Sequence, residues 1–316
     1  MLWNHHVQII ICLCLTVPGI VGNILIFVRY VYNILMGPKK KSIDLILIHL
    51  SFSNILIICS TVVRDRAICF YFKIFLGHTG CKAVVFLGRM ARGFSICTTC
   101  LLTMVQAVTI NPRATLWSTL WRKFKPQTAG QVLPYLLLFW ILNSLIGSNL
   151  LYYITSVNSV NRSVVDKYSG YCIMLPSRQI ARWTVLSFMS IRDVVFQSLM
   201  GWSSVSMALH LYKHHKHVFY LRTSKRINNS SPEIRATLST LILMTCFLFF
   251  YWVDFIFSLY TVSTMTQDSM TFISKSFLEL GYAIFSSFVL VSRDVHVAKY
   301  WSAHKLLKLN SAPLPP

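Results

Sequence analysis

Charge is scarce in this chain. Asp, Glu, Lys and Arg make up 12% of its 316 residues, about half the roughly 25% usual in soluble domains. Acidic groups are scarcer still, nine against thirty Lys and Arg, which leaves a formal net charge of +21. With 55% hydrophobic residues and positive mean hydropathy, the composition excludes an ordinary soluble domain and places the chain in the membrane class. A nucleic-acid partner is disfavoured because the basic residues punctuate apolar runs instead of sitting beside soluble folded sequence. Regular cysteine spacing is lacking too. Cys12, Cys14, Cys59, Cys97, Cys100 and Cys246 lie inside apolar stretches, which argues against a disulfide scaffold or zinc module. Cys97 and Cys100 form a C-x-x-C, but no second pair or nearby histidine supports metal or redox chemistry. Internal duplication, paired broken helices and rings of charge are absent, which disfavours a transporter or channel. No nucleophile and base cluster together, so we expect neither an enzyme nor a cofactor.

What is present is a set of seven apolar segments, at about 7–32, 43–63, 81–109, 130–155, 184–212, 236–261 and 272–292. Each is near the ~20 residues that a membrane-crossing helix needs. The expected fold is an all-α membrane protein, a seven-transmembrane helix bundle over 7–292. The first segment has no basic amino end or small-residue cleavage site, so it reads as a retained helix and not a signal peptide. Lys and Arg then set the orientation. Lys39 to Lys41 follow the first segment, Arg113, Arg122, Lys123 and Lys125 the third, Lys213 to Arg235 the fifth, and Arg293, Lys299, Lys305 and Lys308 the seventh. The opposite loops carry about half as many cations, so residues 1–6 are expected outside and the tail, 293–316, in the cytosol. The Asn161-Arg162-Ser163 sequon falls in a loop expected outside. Cys81 and Cys172 also lie on that side and are the preferred disulfide pair, although Cys69 is a third outer cysteine. The tail mixes Val297, Tyr300 and Trp301 with lysines, as a helix lying on the membrane surface would.

The third segment is the most informative. An arginine at the centre of a membrane helix costs roughly 2.5–3.5 kcal/mol in lipid, so Arg89 and Arg92 must face inward. They are one helical turn apart, and Ser95, Ile96 and Thr99 continue the stripe. From a helix start near Cys81, a rise of 1.5 Å per residue places them about 12 and 16 Å deep, in the outer half of the bilayer. Two readings stay open there: pairing with carboxylates on other helices, or contact with a ligand. Asp193, Asp254 and Glu279 are the acids available in the fifth, sixth and seventh segments, and Tyr251, Trp252 and Phe255 are candidate aromatic walls, whose bland alternative is helix packing. Lys275 sits at the outer edge of the seventh segment, too shallow for a photoreceptor's Schiff base.

The third segment resembles the vomeronasal type 1 receptor family of pheromone receptors. Gly88-Arg89, Arg92-Gly93, Ser95-Ile96-Cys97-Thr98-Thr99-Cys100-Leu101-Leu102 and Gln106-Ala107-Val108-Thr109-Ile110-Asn111-Pro112 look like that family's R-x-x-R-G-x-S-I-x-T-T-C-L-L and Q-A-x-T-I-x-P. Gly22-Asn23, His49-Leu50, Asn54, Gly170-Tyr171-Cys172, Asp193-Val194 and Ser231-Pro232-Glu233 extend the likeness over about 10–295. The chain departs from rhodopsin-like receptors in lacking their Asp-Arg-Tyr and in having Asn54 where they carry an aspartate. It departs from the vomeronasal pattern in having Ser287 where a proline is usual. The resemblance implies a plasma-membrane G-protein-coupled receptor for a small pheromone-like ligand, with an inhibitory-class heterotrimeric G protein as partner. Its expected ligand residues are Arg89, Arg92, Asp193, Tyr251, Asp254 and Glu279. The expected coupling residues are Gln106, Arg113, Arg122, Lys216, Arg222 and Arg235, in basic loops that also meet lipid headgroups. Zinc binding by His214, His215 and His217 is the weaker reading of a helix end that favours cations anyway. A bitter-taste-like receptor is the alternative within receptors. Epitope tags test the orientation: an antibody should reach an amino-terminal tag in intact cells and a carboxyl-terminal tag only after permeabilisation. An exposed carboxyl-terminal tag would invert the topology.

Overall fold

The computed structural model describes residues 2–37, 41–64, 78–110, 129–148, 151, 154–156, 172–174, 179–221, 232–264 and 274–292. Seven helices appear among them: α1 (Leu2–Met36), α2 (Ser42–Arg64), α3 (His78–Ile110), α4 (Ala129–Ser148), α5 (Gln179–Leu221), α6 (Pro232–Thr264) and α7 (Ser274–Ser292). Six are long and apolar enough to cross a membrane. The other, α5, spans 43 residues, about 64 Å at 1.5 Å per residue. Arg192, Asp193 and Gln197 lower its hydropathy. Helices outrun the apolar stretches in several places because a helix satisfies its own backbone and continues into polar sequence until a breaker intervenes. Thus α1 is already helical from Leu2, where residues 1–6 were expected to precede it. It stops at Gly37, whose N–H still reaches the carbonyl of Asn33 at 2.9 Å, with Pro38 next in sequence.

The fourth segment needs a correction. Expected to remain helical to 155, it ends at Ser148, and Ile154–Ser156 instead forms strand β1. β1 pairs antiparallel with β2 (Cys172–Met174), Ile154 opposite Met174 and Ser156 opposite Cys172. The apolar run through Leu150 and Leu151 looks helical by hydropathy, yet Tyr152, Tyr153, Ile154 and Thr155 are β-favouring residue types. Both strands pack on α3, and Gly147 near the end of α4 meets Phe86 near the start of α3, so the end of the bundle where α3 begins is here called the hairpin end. Cys81, fully buried near the start of α3, is disulfide-bonded.

α3 is the axis of the bundle. Of its apolar stretch 61% is buried, against 22% in α4, and it packs on α2, α4, α5 and α6. α4 shows why the periphery reads as lipid-facing: Leu133, Leu137, Leu138, Ile141 and Leu145 are all exposed, as befits a helix apolar on every side. The main core joins Phe94, Ile96, Leu102, Leu47, Leu50, Met200, Phe247 and Tyr282 from five helices.

Polar side chains fix the register of the helices. Asn54 donates to Asn23 Oδ1 at 3.2 Å and to Ser286 Oγ at 3.0 Å, and accepts from Ser95 Oγ at 3.4 Å. Asn23 donates to the carbonyls of Gly19 at 2.8 Å and Ala283 at 3.0 Å. These four side chains are fully buried and tie α1, α2, α3 and α7 together without a charge. In a medium with no competing water, buried amides specify one arrangement. α7 runs unbroken through Ser286 and Ser287, whose hydroxyls bond back to Ala283 and Ile284 at 3.2 and 2.7 Å.

Close backbone approach matters most at Gly93. A methyl group there would stand 2.7 Å from Cζ of Arg192 and closer still to Oδ1 of Asn143, both held by buried hydrogen bonds. Gly93→Ala is therefore expected to destabilise the bundle by about 1–3 kcal/mol through overpacking, seen as a lower thermal midpoint in detergent and less receptor at the cell surface. Gly201→Ala, where nothing lies within 4 Å of the new methyl, should be neutral or slightly stabilising. Equal effects of the two substitutions would contradict this packing.

Candidate functional site

Arg92 leaves α3 one turn beyond Arg89 and meets carboxylates from two other helices. Its Nη2 donates to Oδ2 of Asp254 on α6, and its Nη1 lies 3.9 Å from Oε1 of Glu279 on α7. The Arg92, Asp254 and Glu279 side chains are 14%, 3% and 8% exposed. The guanidinium carbon sits 4.8 Å from the ring centroid of Tyr251, one residue type and position that favours a cation over its face. A buried pair of this kind contributes little net stability, because desolvation offsets attraction, but removing one partner strands the other. Its value is positional: three helices meet at one guanidinium.

A second arginine, missed by sequence reasoning, completes the site. Arg192 on α5 is 8% exposed. It donates through Nε at 2.8 Å and Nη2 at 2.6 Å to Oδ1 of its neighbour Asp193, and through Nη1 at 2.7 Å to Oδ1 of Asn143 on α4. Asn143 in turn approaches Cys97 Sγ at 3.7 Å. The signal was present as Arg192-Asp193 inside an apolar segment. Asp193, expected as a partner for Arg89 or Arg92, accepts hydrogen bonds from the residue before it and lines one cavity with both arginines.

Between α3, α5 and α6 lies a cavity of about 50 Å³, or about 600 Å³ with its open mouth included. Arg89, Arg92, Asp193, Tyr251 and Asp254 line it, together with Arg192, Gln197 and Phe255. Five of the six sequence-predicted ligand residues thus share one cavity. Glu279 lies behind Arg92 on a smaller cavity of about 20 Å³, with Ser60 and Thr61. Trp252, expected as a wall, does not line either cavity. It is 43% exposed and stands edge-on to Phe255 at 6.0 Å. Neighbouring positions on a helix point about 100° apart, so Tyr251 and Trp252 cannot both face inward.

Below the ion pairs a chain of contacts runs along the bundle. Tyr251 stacks on Phe247 at 4.1 Å, Phe247 meets Tyr282 edge-on at 4.5 Å, and the Tyr282 hydroxyl bonds Thr99 at 3.1 Å. Thr99 bonds the carbonyl of Ser95, which contacts Asn54. The inward face of α3 ends at Gln106, 8% exposed, whose Oε1 has no hydrogen-bond partner. Of the other predicted coupling residues, Lys216 lies in α5 and Arg235 in α6, while Arg113, Arg122 and Arg222 fall outside the described residues, as do Asn161, Cys69 and the tail. No group of three or more His, Cys, Asp and Glu placed to hold a metal occurs among the described residues.

A bundle of membrane-crossing helices, with a polar cavity at one end and a buried polar chain leading away from it, has the organisation of a multi-pass membrane receptor. The chain belongs to the vomeronasal organ pheromone receptor family, whose sequence model matches residues 6–303. It is 30% identical over 302 residues to vomeronasal type-1 receptor 4 of Homo sapiens, covering 96% of this chain and 99% of that one. Vomeronasal type-1 receptor 2 of Homo sapiens is 31% identical over 279 residues, 88% and 69% of the two chains. Vomeronasal type-1 receptor 94 of Rattus norvegicus is 29% identical over 289 residues, 89% and 85%. The family is a class of pheromone receptors with seven membrane spans, not of enzymes.

The ion pair predicts a non-additive stability effect. Asp254→Ala leaves the Arg92 guanidinium short of its nearest carboxylate and should cost about 3–5 kcal/mol. The double substitution Arg92→Leu with Asp254→Leu should recover most of that loss. Additive thermal shifts in a double-mutant cycle would show that the two groups do not interact.

Proposed function

We propose that this receptor binds a small pheromone-like ligand in the cavity between α3, α5 and α6, at a hairpin end that faces the cell exterior. Binding there shifts the helices so that a heterotrimeric G protein of the inhibitory class engages the opposite end, at the plasma membrane. The observation that carries the reading is Arg92: at the cavity wall, one side chain from α3 holds carboxylates of both α6 and α7. A ligand that favours a different pairing of Arg92 changes the relative stability of two helix arrangements. Each tenfold preference for one of them shifts the balance by about 1.4 kcal/mol. The stacked path from Tyr251 to Asn54 offers a route by which that shift reaches the middle of the bundle.

The remaining assignments follow the same reading. Cys172, the first residue of β2, is the proposed disulfide partner of Cys81. It would hold the hairpin over α3 near the cavity mouth. Asn161, in the same connection, is the proposed glycosylation site. At the other end, Gln106 and the basic positions Arg113, Arg122, Lys216, Arg222 and Arg235 form the proposed coupling surface, alongside lipid headgroups. The buried unpartnered oxygen of Gln106 suits a group that gains a partner when the helices move.

The test expresses the receptor in cells with a calcium or cyclic-nucleotide readout and screens volatile and steroid-like compounds. Arg92→Ala should abolish the response to an agonist when the response is scored per receptor at the cell surface. Arg92→Lys, which keeps the charge but not the two-pronged reach, should weaken it by at least tenfold. An agonist response unchanged by Arg92→Ala would remove this ion pair from the mechanism.

A further inference from the structure

We infer that the cavity selects an uncharged ligand whose hydroxyl group donates a hydrogen bond to Oδ1 of Asp254. The inference rests on the cavity being the ligand site and specifies the chemistry of its occupant.

Two independent features support it. The first is an unserved acceptor. Asp254 is 2% exposed; its Oδ2 receives Arg92, whereas its Oδ1 is buried and has no hydrogen-bond partner. That carboxylate lines the cavity. A buried acceptor left empty is costly, and an ionised one gains more than a neutral one when a donor arrives.

The second feature is charge balance. Among the described residues the cavity itself is lined by three guanidinium groups, Arg89, Arg92 and Arg192, and two carboxylates, Asp193 and Asp254, and Glu279, 3.9 Å behind Arg92 on the smaller cavity, supplies the third carboxylate. Together these six groups are formally neutral before any ligand enters. An ammonium ligand would leave one uncompensated positive charge in a low-dielectric site, and a carboxylate ligand one negative charge. The face of Tyr251, the nearest site for a foreign cation, is already covered by Arg92. A ketone or ester is neutral but can only turn lone pairs toward Oδ1. An alcohol meets both demands.

Shape assigns the two ends of such a ligand. The enclosed part of the cavity, about 50 Å³, has room for about four water-sized centres, enough for a hydroxyl and the carbon that bears it. The wider mouth carries Met189, Phe255 and Leu259, which suit an apolar body.

The experiment uses the full-length receptor, in detergent for binding and in cells for signalling. The probes are cyclic and straight-chain alcohols, each matched with the ketone, amine and carboxylic acid of the same carbon skeleton. The best alcohol should exceed its matched ketone by roughly ten- to a hundredfold in affinity, the worth of a hydrogen bond to a charged acceptor, and the amine and acid by at least as much. Asp254→Asn should reverse the order. Its amide oxygen turns to Arg92 and its NH2 to the cavity, so the ketone becomes the better ligand.

Equal affinities throughout the panel, including equal failure to bind, overturn the inference; this comparison uses the unsubstituted receptor and needs no variant to fold. Equal affinities with signalling lost in Tyr251→Ala keep the cavity as the ligand site and overturn the hydroxyl assignment alone. An alcohol preference that survives both Asp254→Asn and Tyr251→Ala overturns the site and the assignment together.

Discussion

One constraint governs this structure: a guanidinium group cannot be left alone in hydrocarbon. Arg92 must find carboxylates, and the two that it finds lie on α6 and α7. Lipid tails supply no hydrophobic force to draw helices together, so packing and polar contacts between them decide the arrangement. The same requirement binds Arg192, which settles on Asp193 and Asn143 and draws α4 and α5 against Gly93 of α3. With so few acidic residues in the chain, nearly every buried acid has a cation to serve.

The bundle is layered along α3. Charged pairs occupy the layer nearest the hairpin, aromatic rings and the Thr99–Tyr282 contact lie beneath it, and the neutral network around Asn54 crosses the centre. This order suits a receptor in physical terms. Charged contacts in a cavity respond strongly to a ligand that changes their partners, whereas a fully satisfied amide network resists rearrangement unless several helices move together. Asn54 in place of an aspartate makes that central layer charge-free, so no ion is needed to balance it. Ser286 and Ser287 bond back to their own helix and also meet α2 and α1, so α7 stays continuous where a proline would interrupt its ladder.

Much of this was legible from residue types and spacing. Seven apolar stretches gave the number of helices, the insertion cost of arginine turned Arg89 and Arg92 inward, and the scarcity of acids left Asp193, Asp254 and Glu279 as their candidate partners. What spacing on one helix cannot supply is the relative depth of another. Asp193 and Asp254 are equally eligible by spacing, and packing puts Asp254 in direct contact with Arg92 while Asp193 takes its hydrogen bonds from Arg192. Arg192 is not singled out by sequence, because nothing in the spacing along α5 shows that its Nη1 reaches Asn143 on α4. The early end of α4 was hidden for a different reason. Hydropathy does not distinguish an apolar helix from an apolar strand, and the partner strand lies in a separate stretch of sequence. Trp252 was misplaced by treating an aromatic cluster as one face, when consecutive helical positions diverge.

The central claim is that the Arg92–Asp254 contact holds α6 against α3 in the resting receptor. The most direct measurement is the distance between spin labels on α3 and α6, at the ends remote from the hairpin, in ligand-free receptor. It would be taken with the pair intact and with both residues replaced by leucine. The account predicts a longer or broader distance distribution once the pair is gone. Indistinguishable distributions in the two receptors would contradict it.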